Sequence, residues 1–516
     1  MPPVRRPKDG ARPGALAASA GELAVGPPPG GAAVRRLCTL AENTLFLLFA
    51  LVLLWAPLPF GSNRPWGLAI LAFGLAALLA CWLVLYLFGG AQISRRVMAR
   101  GALPLLLVSL VPLWVWLQTL PIDADMLAAL SPRAHHLHLS ASRLPLSLDV
   151  AATRLYLLMA VACASGFALV LVLVNGERRA RILLWVLVAS GSCQAFYGVM
   201  MVLTGLEWGF LVEKYANLGM ATGTFVNRNH LAGYLVICLA AGTGLLLSQL
   251  SRDRVEGWRD FARQSLAVLL SSKVLIRVLL AVMVIGLVLT RSRMGNVAFF
   301  TALALAGGLA IALARRFSPR LGLLLLSLLV VDAVILGQWF GLDQLVERLE
   351  EMAPEGRQRL EVSARSSHVL RDFPLTGSGG GSYYSIFTYY QDPAVPGYYT
   401  HAHNDYLEIA SDLGIPTLLV LGAFCLLVMR RAIIMMLPRG TGLQRGVGFA
   451  LVMVMVWLLM HSAVDFNLQI PANALTLCAV LGLAFASLAP RPSAFRATDR
   501  AFTVPPKKME ISHTSA

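Results

Sequence analysis

Residues 66–88 read WGLAILAFGLAALLACWLVLYLF, without one charged side chain. A helix that crosses a bilayer needs roughly 20 apolar residues, and it must satisfy every backbone N–H and C=O within itself. The same reading applies at 44–60, 102–120, 152–174, 180–204, 230–249, 274–290, 294–314, 320–340, 405–429, 444–464 and 470–489. These twelve runs predict an all-α, polytopic membrane protein. Composition agrees, since 57% of the 516 residues are hydrophobic and only 14% are charged, against about 25% charge in soluble domains. A disordered chain, a collagen-like chain and an ordinary soluble enzyme are excluded. The seven cysteines are odd in number and form no C-x-x-C pair, and all but Cys38 sit within apolar runs. They read as small hydrophobes.

Formal charge is +16, from 43 Lys and Arg against 27 Asp and Glu. Its location matters more than its size, because short basic loops stay cytoplasmic. The N-terminal tail 1–41, the loops 89–101, 175–181, 250–273, 315–320 and 430–445, and the tail 490–516 hold 29 of the basic residues. The alternate loops hold 12, five of them in one long segment. Both termini are therefore expected in the cytoplasm, and the excess charge records topology and attraction to anionic lipid. Nothing in it calls for nucleic acid.

The chain is expected to divide into a disordered cytoplasmic tail (1–41), nine transmembrane helices (42–340), a long non-cytoplasmic loop with short helices (341–404), three further helices (405–489) and a second cytoplasmic tail (490–516). The long loop exceeds ordinary connection lengths, and such loops are usually functional. Its first part shows helical spacing at Leu345, Leu349, Leu360, Val369 and Leu370. Two short surface helices are expected there, broken near Pro354-Glu355-Gly356.

Five polar clusters fall on the non-cytoplasmic side of this topology. In GTFVNRNHLAGYL (223–235), Asn227 and Arg228 stand where a helix enters the membrane, and Asn227 is suited to cap it. The plainer reading is a helix start with interfacial residues. In TRSRMGN (290–296), Arg291 and Arg293 lie against the positive-inside rule. An arginine fork suits phosphate oxygens, and snorkelling to headgroups is the alternative. Residues 359–390, from Arg359, carry GSGGGS, which lacks the strand-to-helix context of a phosphate cradle. Flexible glycines followed by Tyr383, Tyr384, Tyr389, Tyr390, Tyr398 and Tyr399 fit a sugar-stacking surface or an aromatic belt. HAHNDYLEIASDLGIPT (401–417) brings His401, His403, Asn404, Asp405 and Glu408 together. It contains no H-E-x-x-H ligand set, whereas His403 suits a general base. In HSAVDFNLQIPANAL (461–475), Asp465 is suited either to pair with an arginine or to cap a helix. Asp332 is the clearest charge within the membrane, with a structural or a transport role open to it.

Taken in this order, these stretches resemble the O-antigen ligase and polymerase superfamily of membrane glycosyltransferases, over roughly residues 190–485. The ligase pattern of His, then Asn, Ser or Gln, nine residues, Gly, two residues and Gly, Thr or Tyr fits His403, Asn404, Gly414 and Thr417. One departure is Ser363, where related sequences often carry an aromatic. The resemblance implies a glycosyltransferase-C-like fold and an undecaprenyl-diphosphate-linked glycan donor. The acceptor would be a second glycan or lipid A-core. Arg228, Arg291, Arg293 and Arg359 would hold the diphosphate, with Asn227, His401, Tyr383 and Asp465 also lining the substrate site. His403, with Asn404 and Asp405, would serve the acceptor hydroxyl, without cofactor, metal or nucleotide. The setting would be the bacterial inner membrane and cell-surface polysaccharide synthesis. The competing reading is a multi-pass secondary transporter of a small solute. Transporters, however, place their sites near the midplane on broken helices, whereas here the polar residues gather at one surface.

Overall fold

The computed structural model describes residues 31–138, 143–249, 274–314, 322, 353–391 and 397–488, with the side chains of 353–360 excepted. The described residues form sixteen α-helices and one two-stranded antiparallel ribbon. Nine of these helices are long and apolar enough to cross a membrane: α1 (Ala32–Trp55), α2 (Pro65–Leu87), α3 (Arg95–Gln118), α6 (Val150–Leu173), α7 (Glu177–Thr204), α8 (Arg228–Leu247), α10 (Arg293–Leu313), α14 (Ile415–Met436) and α15 (Gly442–His461). Two shorter apolar helices, α9 (Val274–Leu289) and α16 (Pro471–Gly482), complete the set. Eleven of the twelve expected runs thus appear as helices. The twelfth, 320–340, and with it Asp332, lies outside the described residues.

Helix α8 is the axis of the bundle, buried along nearly its whole length. It packs on α7, α9, α15 and α16. With lipid tails as apolar as leucine, such packing depends on close approach. Gly244 of α8 and Gly446 of α15 supply it, since a Cβ on either would strike the other's backbone carbonyl.

Two boundaries differ from the sequence reading. Helix α1 begins at Ala32, ten residues inside the expected tail. The run 405–429 is two helices, α13 (Asp405–Leu413) and α14. Gly414, at φ +86°, turns the chain between them, and Pro416 stands in the first turn of α14. The His401–Leu413 stretch therefore lies outside the spanning helices. Pro354-Glu355-Gly356 lies in the first described turn of α11 (Ala353–Asp372), and the first of the two expected short helices, before it, lies outside the described residues.

The connection after α3 is more than a loop. Strands β1 (Pro121–Asp123) and β2 (Arg143–Pro145) pair antiparallel, with α4 (Ala124–Leu130) and α5 (Pro132–Leu137) between them. Leu127, Ala134, Leu144 and Leu146 of this insert form a small core with Val369 and Phe373 of α11 and Ile386 of α12 (Tyr383–Tyr390). The insert and the 353–391 segment thus make one cap beside the bundle.

Candidate active site

The chain enters α13 through His401-Ala402-His403-Asn404. Asn404 caps the helix, its Oδ1 accepting from Leu407 N–H at 3.1 Å. Its Nδ2 donates to Ala463 O at 3.1 Å. His403, just before the cap, sits in the left-handed region at φ +51°, uncommon for a residue with a Cβ. Glu408, one turn into α13, holds this conformation. Its carboxylate is 1% exposed and accepts from Ala402 N–H at 2.8 Å and from His401 Nδ1 at 2.7 Å.

Asp405 fastens the same turn to the segment between α15 and α16. Its Oδ2 accepts from Ser462 Oγ at 2.9 Å and from Leu468 N–H at 3.3 Å. Its N–H donates to Ser462 O and Asp465 O. The side chain is wholly buried, so it builds the turn and does not face a substrate as a catalytic carboxylate must. Burial first, and Glu408 next, push its pKa well above the usual carboxylate range.

Phe466 is the centre of the cluster. The His401 ring stacks on it at 4.0 Å, and the His403 and His230 rings meet it edge-on at 5.0 and 4.7 Å. A fourth histidine, His461 at the end of α15, is hydrogen-bonded through Nδ1 to Asn467 Nδ2 at 2.7 Å. Asn473 Nδ2 then donates to Asn467 Oδ1 at 2.8 Å and to His230 O at 3.0 Å, tying α16 to α8. Asp465 lies among these rings, 2% exposed, with Phe466 N–H donating to its Oδ1 at 2.8 Å. It pairs with no arginine among the described residues. Burial alone would raise its pKa, but His230, His461, the Phe466 N–H and His403 hold it below the usual range. An anion therefore sits beside three of the four imidazoles.

The arginines gather at the same end of the bundle. Ala221 N–H donates to Leu289 O at 3.0 Å, joining the approach to α8 with the end of α9. Gly295 of α10 faces Ala232 of α8. Asn227 caps α8 as expected, accepting from Asn229 N–H at 2.8 Å. Arg228 follows it, half-buried, with Nη1 at 2.8 Å from Met220 Sδ. Arg291, at φ +53°, and Arg293, the first residue of α10, are both exposed. Neither guanidinium has an ion pair or hydrogen bond among the described residues. Arg359 lies on α11, and its side chain is outside the described residues.

Two expectations for the glycine-rich stretch are corrected. The loop 377–382 is fixed, and its amides are already occupied. Ser378 N–H donates to Ser411 O, Gly379 N–H to Asp412 O, Gly380 N–H to Gln118 Oε1 and Gly381 N–H to Asp412 Oδ2. Gly377, at φ +69°, leaves no room for a Cβ against the Asp412 carbonyl. The loop clamps the end of α13 to the end of α3. Tyr383, expected as a sugar-stacking ring, is 1% exposed. It stacks on Phe387 at 5.1 Å, and its hydroxyl and Ser366 Oγ are 2.6 Å apart. With Val362 it backs Ala402, so it supports the histidine loop from behind. Ser363, the departure from the family pattern, donates to Ala402 O at 3.4 Å.

Five contributors to this geometry carried no role in the sequence reading: His230, Glu408, His461, Phe466 and the Asn467–Asn473 pair. For the polar ones the one sequence signal is polarity at apolar helix ends, and Phe466 carried none. Among the described residues no group of three or more His, Cys, Asp or Glu is arranged to hold a metal ion.

Residues 278–422 match the family model described as O-antigen ligase. The match runs from α9 through the arginine turn, the cap helices, the histidine loop and α13 into α14. No curated protein matches the chain. The match supports a multi-pass membrane protein with a glycosyltransferase-type role in O-antigen biosynthesis.

Proposed function

We propose that this chain transfers or polymerises glycan from undecaprenyl diphosphate at the periplasmic face of the bacterial inner membrane, with both termini cytoplasmic. The product is a cell-surface polysaccharide of the O-antigen or exopolysaccharide kind. One observation carries the reading. A left-handed His403, held by a buried carboxylate, lies at the same end of the bundle as two exposed arginines that have no acidic partner among the described residues.

In this reaction the acceptor hydroxyl oxygen attacks the anomeric carbon while the bond from that carbon to the diphosphate oxygen breaks. His403 takes the hydroxyl proton, since imidazole titrates near neutral pH. Asp465, held anionic nearby, favours the imidazolium that results. The diphosphate leaves with added negative charge, which Arg228, Arg291, Arg293 and Arg359 meet with forked donors. Charge so balanced needs neither metal nor nucleotide. Asn227 fixes the Arg228 helix start. Asn404 and Asp405 position His403 without touching the reacting atoms. His401, with Nδ1 given to Glu408, keeps Nε2 for a sugar hydroxyl. The acceptor is a second glycan or lipid A-core.

The test is purified protein in lipid nanodiscs supplied with lipid-linked repeat units. Long chains and released undecaprenyl diphosphate are expected of a polymerase. A ligase leaves the donor intact until lipid A-core is added. A donor unchanged with either acceptor would overturn the reading.

A further inference from the structure

Helix α12 is eight residues long and two-faced. Tyr383, Ile386 and Phe387 are buried, whereas Tyr384, Ser385, Thr388 and Tyr389 are exposed. The inner face joins two neighbourhoods. Tyr383 and Phe387 pack with Ala402 of the histidine loop, and Ile386 packs with the insert between α3 and α6. The outer face carries two tyrosines, 45% and 63% exposed, two hydroxyls and no charge.

This outer face is held still. Arg133 of α5 lies over the Tyr389 ring, its Cζ 5.5 Å from the centroid. It also pairs with Asp372 at 3.1 Å. Tyr390 OH donates to Asp372 Oδ2 at 2.6 Å, and the Tyr389 and Tyr390 rings meet edge-on at 5.5 Å. Ser385 Oγ donates to Asp149, the cap of α6. Tyr389 and Ser385 therefore stand on side chains anchored from three elements, and little of their entropy remains to be lost on binding.

We infer that the outward face of α12, with Arg133 at its rim, is a non-catalytic subsite for an oligosaccharide chain. Sugars present flat C–H faces to aromatic rings and a rim of hydroxyls to Ser, Thr, Tyr and Asp, and this face offers both kinds of partner. A lipid-headgroup belt fits less well. Belt aromatics stand at the ends of spanning helices beside basic anchors. Helix α12 is not the end of a span, and its exposed face has no Lys or Arg of its own. Because α12 also backs the histidine loop, the subsite stands on the element that supports His403 from behind. The assignment rests on the proposed function for its ligand class.

The experiment measures binding directly, without donor or turnover. The probe is oligosaccharide prepared by partial hydrolysis of surface polysaccharide from the producing cells, titrated onto the full-length protein in nanodiscs. Each tyrosine removed is expected to weaken binding about tenfold. Tyr384→Ala/Tyr389→Ala should therefore lose most affinity, while Tyr384→Phe/Tyr389→Phe keeps it. Unchanged thermal melting of both pairs separates lost contact from misfolding. Equal affinity of the alanine pair and the wild type overturns the inference, as does a wild type that binds no oligosaccharide. Failure of the proposed function looks different: the wild type binds oligosaccharide but turns over no lipid-linked donor.

Discussion

Glu408→Ala should disable the histidine loop while leaving the bundle intact. The carboxylate is the acceptor for Ala402 N–H and for His401 Nδ1. Ala402 is fully buried, so its N–H would find no water. An orphaned buried donor costs about 1–3 kcal/mol. The charged bond to His401, whose side chain is 25% exposed, adds about 1 kcal/mol after solvent screening. The held conformation thus loses about 2–4 kcal/mol, roughly 30- to 1000-fold in population. A left-handed His403 costs about 1 kcal/mol or more by itself, so the loop relaxes to an ordinary backbone. Donor consumption in nanodiscs at saturating lipid-linked substrate should fall at least about tenfold, with a lower melting temperature for the cap. Glu408→Gln keeps one carbonyl acceptor for Ala402 and one polar partner for His401. It should therefore retain most activity. Wild-type rate and melting in Glu408→Ala would refute the reasoning. Equal damage from Gln and Ala would show that charge, not hydrogen bonding, controls the loop.

Asp405→Asn should hold or raise the melting temperature at neutral pH and keep transfer activity. With its pKa raised in the fold, Asp405 contributes stability that is full below about pH 3.9 and declines as pH rises towards the folded value. A loss of activity as large as that of His403→Ala would make Asp405 catalytic after all. Asp465 behaves oppositely, since its folded pKa is lowered. Its stabilisation is present above about pH 3.9 and lost as pH falls through the folded value. Asp465→Asn should therefore lower the melting temperature at pH 7, by a margin that shrinks in acid, and a pH-independent margin would contradict this. Gly377→Ala should cost about 1–3 kcal/mol from backbone strain alone, more with the Asp412 carbonyl in the way. Detergent melting would show it, and an unchanged melt would contradict the clamp. Arg291→Ala and Arg293→Ala should each weaken donor binding, read as a higher KM for lipid-linked donor, and unchanged affinity in both would remove the turn from diphosphate binding.

The spanning helices were legible because an apolar run of membrane length has few other uses. The Asn227 cap was legible for a similar reason, as it is a local rule of residue type and position. What escaped was long-range. Gln118 donates its side-chain amide to Thr376 O and Asp412 O, partners more than 250 positions away, and no local pattern marks it. Tyr383 and Tyr384 are adjacent tyrosines, yet one is buried and one exposed, because helical phase against Ala402 decides between them. Asp405 looked like chemistry because it follows His403, and its burial depends on Ser462 and Leu468 folding back over it. Gly414 explains the split of the tenth expected span. A positive-φ glycine followed by a proline ends one helix and starts the next, a signal outweighed in the sequence by the apolar run beyond it.

The most direct measurement is glycan transfer from lipid-linked repeat units by His403→Ala, beside wild type, in the same nanodiscs. Transfer should fall to background, with membrane insertion, melting and oligosaccharide binding unchanged. Near-wild-type transfer would remove His403 from the chemistry and, with it, the site assigned at this end of the bundle.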